Sequence, residues 1–108
     1  MRIECSYRNY QPIPVFSEFV ENEFSSLKKY SLVTDDTLLI LSINYHEKTS
    51  RYKIKVFVKN LKSINSIFSE IKGHDLHKLI TKLKSKVESQ IRVLKETKHV
   101  HNNKTSKI

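Results

Sequence analysis

Residues 75–98 read DLHKLITKLKSKVESQIRVLKETK and contain the longest regular pattern in the chain. At 100° per residue their apolar side chains fall within an arc of about a third of a helix, which is typical of a helix with one buried side. These side chains are Leu76, Leu79, Ile80, Leu83, Val87, Ile91 and Leu94. The pattern predicts a helix from Asp75 to about Lys98, with Asp75 as N-cap because its carboxylate can accept hydrogen bonds from free N–H groups.

Basic side chains occupy much of the remaining surface of this predicted helix. They are Lys78, Lys82 and Lys86 on one flank, Lys84 and Lys95 on the other, and Arg92 pointing away from the core. Lysines often serve only to keep a helix soluble. Here basic residues clearly outnumber acidic ones, so the helix is a candidate surface for a polyanionic partner.

Length and composition predict one folded domain with short connections. The chain has 108 residues, of which 38% are hydrophobic, and it contains one glycine and two prolines. We expect a cytoplasmic protein, because no apolar run reaches membrane-spanning length and residues 1–10 lack the apolar segment of a signal peptide. The single cysteine, Cys5, cannot form an internal disulfide, which agrees with a reducing compartment.

The net charge of +9 is unevenly distributed along the chain. Residues 1–37 contain four basic and six acidic side chains and sum to −2, so the remainder carries +11. Such asymmetry favours an oriented polyanion, nucleic acid first and an anionic membrane second. A membrane-surface helix would need exposed bulky apolar groups, whereas here the apolar stripe is needed for the core.

Alternating apolar residues predict four strands. The first runs from Arg2 to Tyr7, the second from Thr37 to Tyr45, the third from Arg51 to Lys59, and a weaker fourth from about Ile64 to Ile71. In the third strand, Tyr52, Ile54, Val56 and Val58 point inward, while Arg51, Lys53, Lys55, Phe57 and Lys59 point outward. This outward side is a second basic stripe, with one aromatic residue in it.

A second amphipathic helix of about four turns is predicted to start at Pro14, a residue suited to the first helical position. Its apolar side consists of Phe16, Phe19, Val20, Phe24, Leu27 and Tyr30. The order is strand, helix, strand, strand, strand, helix. A right-handed crossover makes the first two strands parallel, and hairpins add the other two. We therefore predict an α+β two-layer sandwich, a four-stranded mixed sheet with both helices on one face.

Catalytic chemistry is not indicated. Cys5 alternates with core residues and has no positioned histidine base. His99 and His101 lack the further ligands and the second shell of a metal site, and the other histidines show no ligand spacing. The sequence predicts no enzyme activity, no metal, no cofactor and no small-molecule substrate.

Five stretches of the chain carry a resemblance to a known family: residues 1–9, Phe16 to Tyr30, Arg51 to Val56, Gly73 to Leu76 and Ser85 to Ile91. They resemble the ribosome hibernation promoting factor family, which includes the ribosome-associated inhibitor once described as a sigma-54 modulation protein. The resemblance covers about residues 1–96, which we interpret as the ribosome-binding domain, followed by a flexible basic tail at 97–108. The layout is also similar to that of double-stranded-RNA-binding domains.

The resemblance implies a translation inhibitor that binds the small ribosomal subunit in the channel shared by mRNA and tRNA, silencing idle ribosomes in stress or stationary phase. Contacts would run from basic side chains to rRNA phosphates. The family pattern places Lys86 and Lys95 at basic positions. The other candidate contacts are Lys78, Lys82, Arg92, Arg8, Lys28, Lys29, Arg51, Lys53 and Lys55. Long family members add a dimerisation domain, so this chain resembles the short type, for which a helper protein in ribosome dimerisation is a further possible partner.

Two other functions stay open at this point. One is a general RNA-binding module that recognises duplex RNA by shape and phosphate contacts away from the ribosome. The other is a protein-interaction adaptor that uses the open sheet face, where Ile40, Phe57 and Phe68 are expected to form a modest apolar patch.

Overall fold

The computed structural model describes residues 1–62 and 66–107, with side chains of the last helix described as far as Leu94. The elements are β1 (Arg2–Arg8), α1 (Pro14–Ser25), a short 3₁₀ helix (Ser26–Lys29), β2 (Leu38–His46), β3 (Arg51–Lys59), β4 (Ile67–Gly73) and α2 (Leu76–Lys107). The predicted order and the α+β class are confirmed. Ile64, where the fourth strand was expected to begin, lies outside the described residues.

The four strands form one mixed sheet in the order β1-β2-β3-β4. β1 pairs with β2 in parallel, because α1 carries the chain back across the sheet between them. β2 with β3 and β3 with β4 are antiparallel. Each strand therefore points alternate side chains toward the helices and toward the opposite face, which neither α1 nor α2 covers.

The core lies between the sheet and the two helices. From α1 and the 3₁₀ helix it takes Phe16, Val20, Phe24 and Leu27; from the sheet, mainly Leu39, Leu41, Ile43, Ile54, Val56 and Val58; and from α2, Leu76, Leu79, Ile80, Leu83, Val87 and Ile91. Leu94 is half-buried at the rim of this cluster. Both predicted helical stripes thus face the same side of the sheet.

The first helix departs from the prediction at its end. α1 stops at Ser25, and the chain continues as a 3₁₀ helix rather than as a fourth α-helical turn. Ser25 Oγ donates to the carbonyl of Asn22 (2.9 Å) and Ser26 Oγ donates to that of Glu23 (3.1 Å). Such serine back-bonding competes with the regular helical ladder. At the other end Ile13 provides no side-chain cap, and the Phe16 N–H donates to the Ile13 carbonyl at 2.9 Å.

The last helix starts as predicted and extends farther than predicted. Asp75 Oδ1 accepts the Lys78 backbone N–H at 3.2 Å, which confirms the N-cap. α2 continues to Lys107, past the expected end near Lys98. The chain after Gly73 contains no glycine or proline, so no residue breaks the backbone ladder. The division into a domain at 1–96 and a flexible tail stays a prediction. Across the described residues, no helix is both long and apolar enough to span a membrane.

The N-cap gives a test of how α2 is anchored. Replacing Asp75 with alanine should lower the free energy of unfolding by about 0.5–2 kcal/mol, because the Lys78 N–H loses its acceptor. Asp75→Asn should stay near wild type, since asparagine caps about as well as aspartate. Urea unfolding followed by far-ultraviolet circular dichroism measures both. An alanine variant with an unchanged midpoint would show that the cap does not stabilise the fold.

Candidate nucleic-acid interface

A row of polar and basic side chains crosses the open face of the sheet. Arg8 pairs with Asn44, Asn44 with Lys53, and Lys53 with Lys72. Cross-strand neighbours lie close together on one face, so this register brings cations from β1, β3 and β4 into one line. Arg8 and Lys53 were predicted contacts, whereas Lys72 was missed. Its signal was the alternation of Phe68, Glu70 and Lys72 along the weakest strand.

A cavity of about 330 Å³ opens beside this row. Its lining includes Ser6, Arg8, Ser42, Asn44, His46, Lys53 and Lys55. Asn44 Oδ1 is buried there and accepts no hydrogen bond from the residues that the structure describes. The cavity therefore combines positive charge with polar side chains.

The basic stripe of the sheet and that of α2 meet at Glu70. Lys53 Nζ lies 3.4 Å from Glu70 Oε1, and Lys86 Nζ donates to the Glu70 carbonyl at 3.2 Å. The sequence alone suggests two separate surfaces. Because β4 lies directly against α2, the cations instead form one continuous band around the sheet edge. This β4-edge band consists of Arg8, Lys53, Lys55, Lys72, Lys82 and Lys86.

The edge of β4 is also closed to further strand pairing in this region. Gln90 Nε2 donates to the Phe68 carbonyl at 3.4 Å, next to the bond from Lys86 to Glu70. Side chains of α2 thus occupy carbonyls that an added strand would need. A cleft of about 670 Å³ runs between the two elements, and Lys82 and Lys86 lie on its α2 side. The band therefore offers side chains, not a free strand edge, to a partner.

A second group of charges surrounds Glu88 at the seam between α1 and α2. Glu88 is only 8% exposed, and Tyr30 Oη donates to its Oε2 at 2.7 Å. Three cations surround this carboxylate: Lys84 at 3.3 Å, Lys29 at 3.4 Å and Arg92 at 3.8 Å. Sequence reasoning missed this arrangement. Lys29 and Arg92, both predicted RNA contacts, are thus paired within the protein.

The hydrogen bond from Tyr30, together with Lys84 and Lys29, holds the pKa of Glu88 below its ordinary value. A neighbouring carboxylate extends the network. Glu23 Oε1 accepts from Thr81 Oγ1 at 3.1 Å, and its Oε2 lies 4.0 Å from Lys84 Nζ. These contacts fasten α1 and the 3₁₀ helix to the middle of α2, so the seam serves the fold.

The remaining predicted contacts lie outside the band. Lys28 is exposed beside Lys29, and Lys78 is exposed in the first turn of α2. Arg51 Nε lies 3.3 Å from His74 Nε2. The side chain of Lys95 lies outside the described residues. Among the described residues, no group of three histidine, cysteine or acidic side chains is placed to hold a metal ion.

Comparison with known proteins identifies the family. The model of the family described as "Sigma 54 modulation protein / S30EA ribosomal protein" matches residues 3–99. The chain belongs to this family. The resemblance noted in the sequence is confirmed, and membership of a family of ribosome-associated modulation proteins implies association with the ribosome.

Solved structures with the same fold include two bacterial proteins. The N-terminal domain of Protein Y from Thermus thermophilus is 17% identical, with a TM-score of 0.69 over 86% of this chain and 94% of that chain. A ribosomal subunit interface protein from Coxiella burnetii is 18% identical, with a TM-score of 0.72 over 89% of this chain and 99% of that chain. At such identities the likeness shows the fold. No curated protein sequence matches this S30EA-family chain.

The Glu88 network predicts a specific dependence of stability on pH. Because the pKa of Glu88 is lower in the folded state, its contacts stabilise the protein above the ordinary value of 4.5, and this stabilisation is lost as pH falls through the lower folded-state pKa. Glu88→Gln should therefore reduce the free energy of unfolding at neutral pH, by about 1–2 kcal/mol. The difference from wild type should shrink as the pH drops below 4.5.

Urea unfolding at several pH values measures this difference. Glu18→Gln, which changes an exposed glutamate of α1, is the matched control and should follow wild type throughout. A deficit in Glu88→Gln that stays constant with pH would contradict the ionic origin of the effect.

Proposed function

We propose that this protein is a ribosome-binding translation inhibitor that occupies the mRNA and tRNA channel of the small ribosomal subunit and preserves inactive ribosomes in stress or stationary phase. It acts in the cytoplasm by occupancy, without catalysis. Family membership supports the ribosome as partner. The β4-edge band supports the manner of binding.

The observation that carries the proposal is the continuity of this band. It extends from Arg8 on β1, across the sheet to Lys72, and around β4 to Lys82 and Lys86 on α2. A ligand lodged in a channel meets rRNA on more than one side, so it benefits from cations on two layers at once. A protein that lies along one duplex needs a single basic surface.

Co-sedimentation with isolated ribosomal subunits tests the proposal directly. We expect saturable binding to the small subunit alone at physiological salt, with mRNA and tRNA competing for the site. Binding to both subunits that disappears as salt is raised from low to physiological concentration would contradict the proposal, since phosphate attraction without a defined site behaves in this way.

The band predicts that charges on both layers contribute. Lys82→Gln with Lys86→Gln should weaken small-subunit binding and lower the slope of log affinity against log salt by about 0.7–0.9 for each phosphate that the protein no longer neutralises. Lys53→Gln with Lys72→Gln should act in the same direction, because these residues form the sheet side of the same band.

The charge-matched control is Lys48→Gln with Lys62→Gln, two exposed lysines outside the band, which should bind nearly as wild type. Salt titrations of subunit binding compare the three double variants. Weaker binding restricted to the α2 pair would favour the general duplex-RNA module over a channel-bound inhibitor. Equal affinity for any RNA duplex would favour the same alternative.

A protein-interaction adaptor is the second candidate, and one observation favours it. Ile40 pairs with Phe57, and Phe57 pairs with Phe68, so the predicted apolar patch is a row on the open face. Binding to a protein partner that is insensitive to salt would support this role.

A further inference from the structure

The row formed by Ile40, Phe57 and Phe68, here called the aromatic row, is the most exposed apolar feature of the sheet. Phe57 is 38% exposed and Phe68 is 55% exposed. They lie directly opposite each other on neighbouring strands, where Cβ atoms are about 4.5–5.5 Å apart. Two phenylalanines thus occupy directly opposed positions on the face that neither α1 nor α2 packs against, and the proposed phosphate contacts of the band do not use them.

Two lysines of β3 border the aromatic row, and Glu4 continues it beyond Ile40 on β1. Lys55 and Lys59 flank Phe57 on the same side of β3, each about 7 Å away along the strand. Acidic groups on this face are already paired: Glu4 lies 3.2 Å from Arg2, and Glu70 lies 3.4 Å from Lys53. The surroundings of the rings are therefore positive.

We propose that the aromatic row is a stacking platform for unpaired bases of single-stranded RNA. Exposed aromatic rings beside a positive groove are the combination that binds single strands, because every base has a face that can stack. Four-stranded sheets with aromatic residues on neighbouring strands are one established way to hold such bases. Duplex RNA keeps its base faces inside the helix and cannot use the row.

The register also provides a path for the RNA backbone. The row next to the aromatic row contains Ser6, Ser42, Lys55 and Glu70, and the one after it contains Arg8, Asn44, Lys53 and Lys72. The Glu70 carboxylate is paired with Lys53 at 3.4 Å. Phosphates of a strand stacked on the rings would reach these cations.

A protein partner fits these observations less well. Stable protein interfaces bury at least about 1,000 Å² around an apolar core in which lysine is depleted. Here a single row of apolar side chains is bordered by lysines on the same strand. Charge complementarity therefore favours RNA as the occupant.

Direct binding assays test the platform without ribosomes. With labelled oligoadenylate, Phe57→Ala and Phe68→Ala should each weaken binding by about five- to 150-fold. The slope of log affinity against log salt should stay unchanged, since the variants neutralise the same phosphates. Phe57→Tyr and Phe68→Tyr, which keep a ring, should bind nearly as wild type. A hairpin duplex should bind all variants equally. Alanine variants that bind oligoadenylate as wild type does would overturn the proposal.

A spectroscopic reporter separates stacking from general attraction. The chain contains no tryptophan, so Phe68→Trp introduces a single indole on the row. Oligoadenylate should quench its fluorescence, whereas a hairpin duplex should not. No quenching at saturating oligoadenylate would overturn the proposal.

Co-sedimentation distinguishes the source of the RNA. Weaker binding of the alanine variants to vacant small subunits would support unpaired rRNA as the occupant, and an effect limited to free strands would support mRNA-like RNA. This inference shares Arg8, Lys53 and Lys55 with the proposed function, but the two can fail separately. If oligoadenylate quenches the fluorescence of Phe68→Trp but the protein does not bind small subunits, the stacking platform is supported and the proposed binding in the ribosomal channel is contradicted. Binding to small subunits without quenching by oligoadenylate supports channel binding and contradicts the stacking platform.

Discussion

Burial of the apolar stripe of α2 against the sheet is the constraint on which the other features depend. Ile80, Leu83, Val87 and Ile91 are fully buried, so the rotation of the helix about its axis is fixed. With that rotation fixed, the flank that carries Lys82 and Lys86 must face β4, and the flank that carries Glu88 must face α1. The packing of this one stripe therefore decides that Lys82 and Lys86 lie beside the sheet and that the cations around Glu88 are neutralised at the seam with α1.

The same constraint leaves one face of the sheet open. Both helices bury their stripes on one side, so alternate residues of each strand face away from them. On β3 this exposes Lys53, Lys55 and Phe57 while Ile54 and Val56 complete the core. A one-residue slip of this strand would exchange the two sets and destroy the core. The basic and aromatic composition of the open face is thus as firmly specified as the core itself.

Periodicity in the sequence predicted the elements well, because their core faces repeat every two or 3.6 residues. The limits of β3 and the N-cap at Asp75 agree with the structure. Periodicity could not predict contacts that depend on strand register or on segments far apart in the sequence. Lys72 joins the basic row only through the pairing of β4, and Tyr30 meets Glu88 from 58 residues away. The predicted site residues therefore proved to be a mixture of exposed cations and cations already paired.

That mixture bears on where a polyanion can bind. At the seam, a phosphate would compete with Glu88, whose low pKa keeps it ionised and whose contacts also fasten α1 to α2. Taking Lys29 or Arg92 away from it would leave a buried carboxylate with fewer partners, which is costly. At the β4 edge the competing carboxylate is Glu70, which is more exposed and has no such role. Although both regions are rich in cations, the β4-edge band is therefore the surface from which RNA can recruit charge at the smaller cost to the fold.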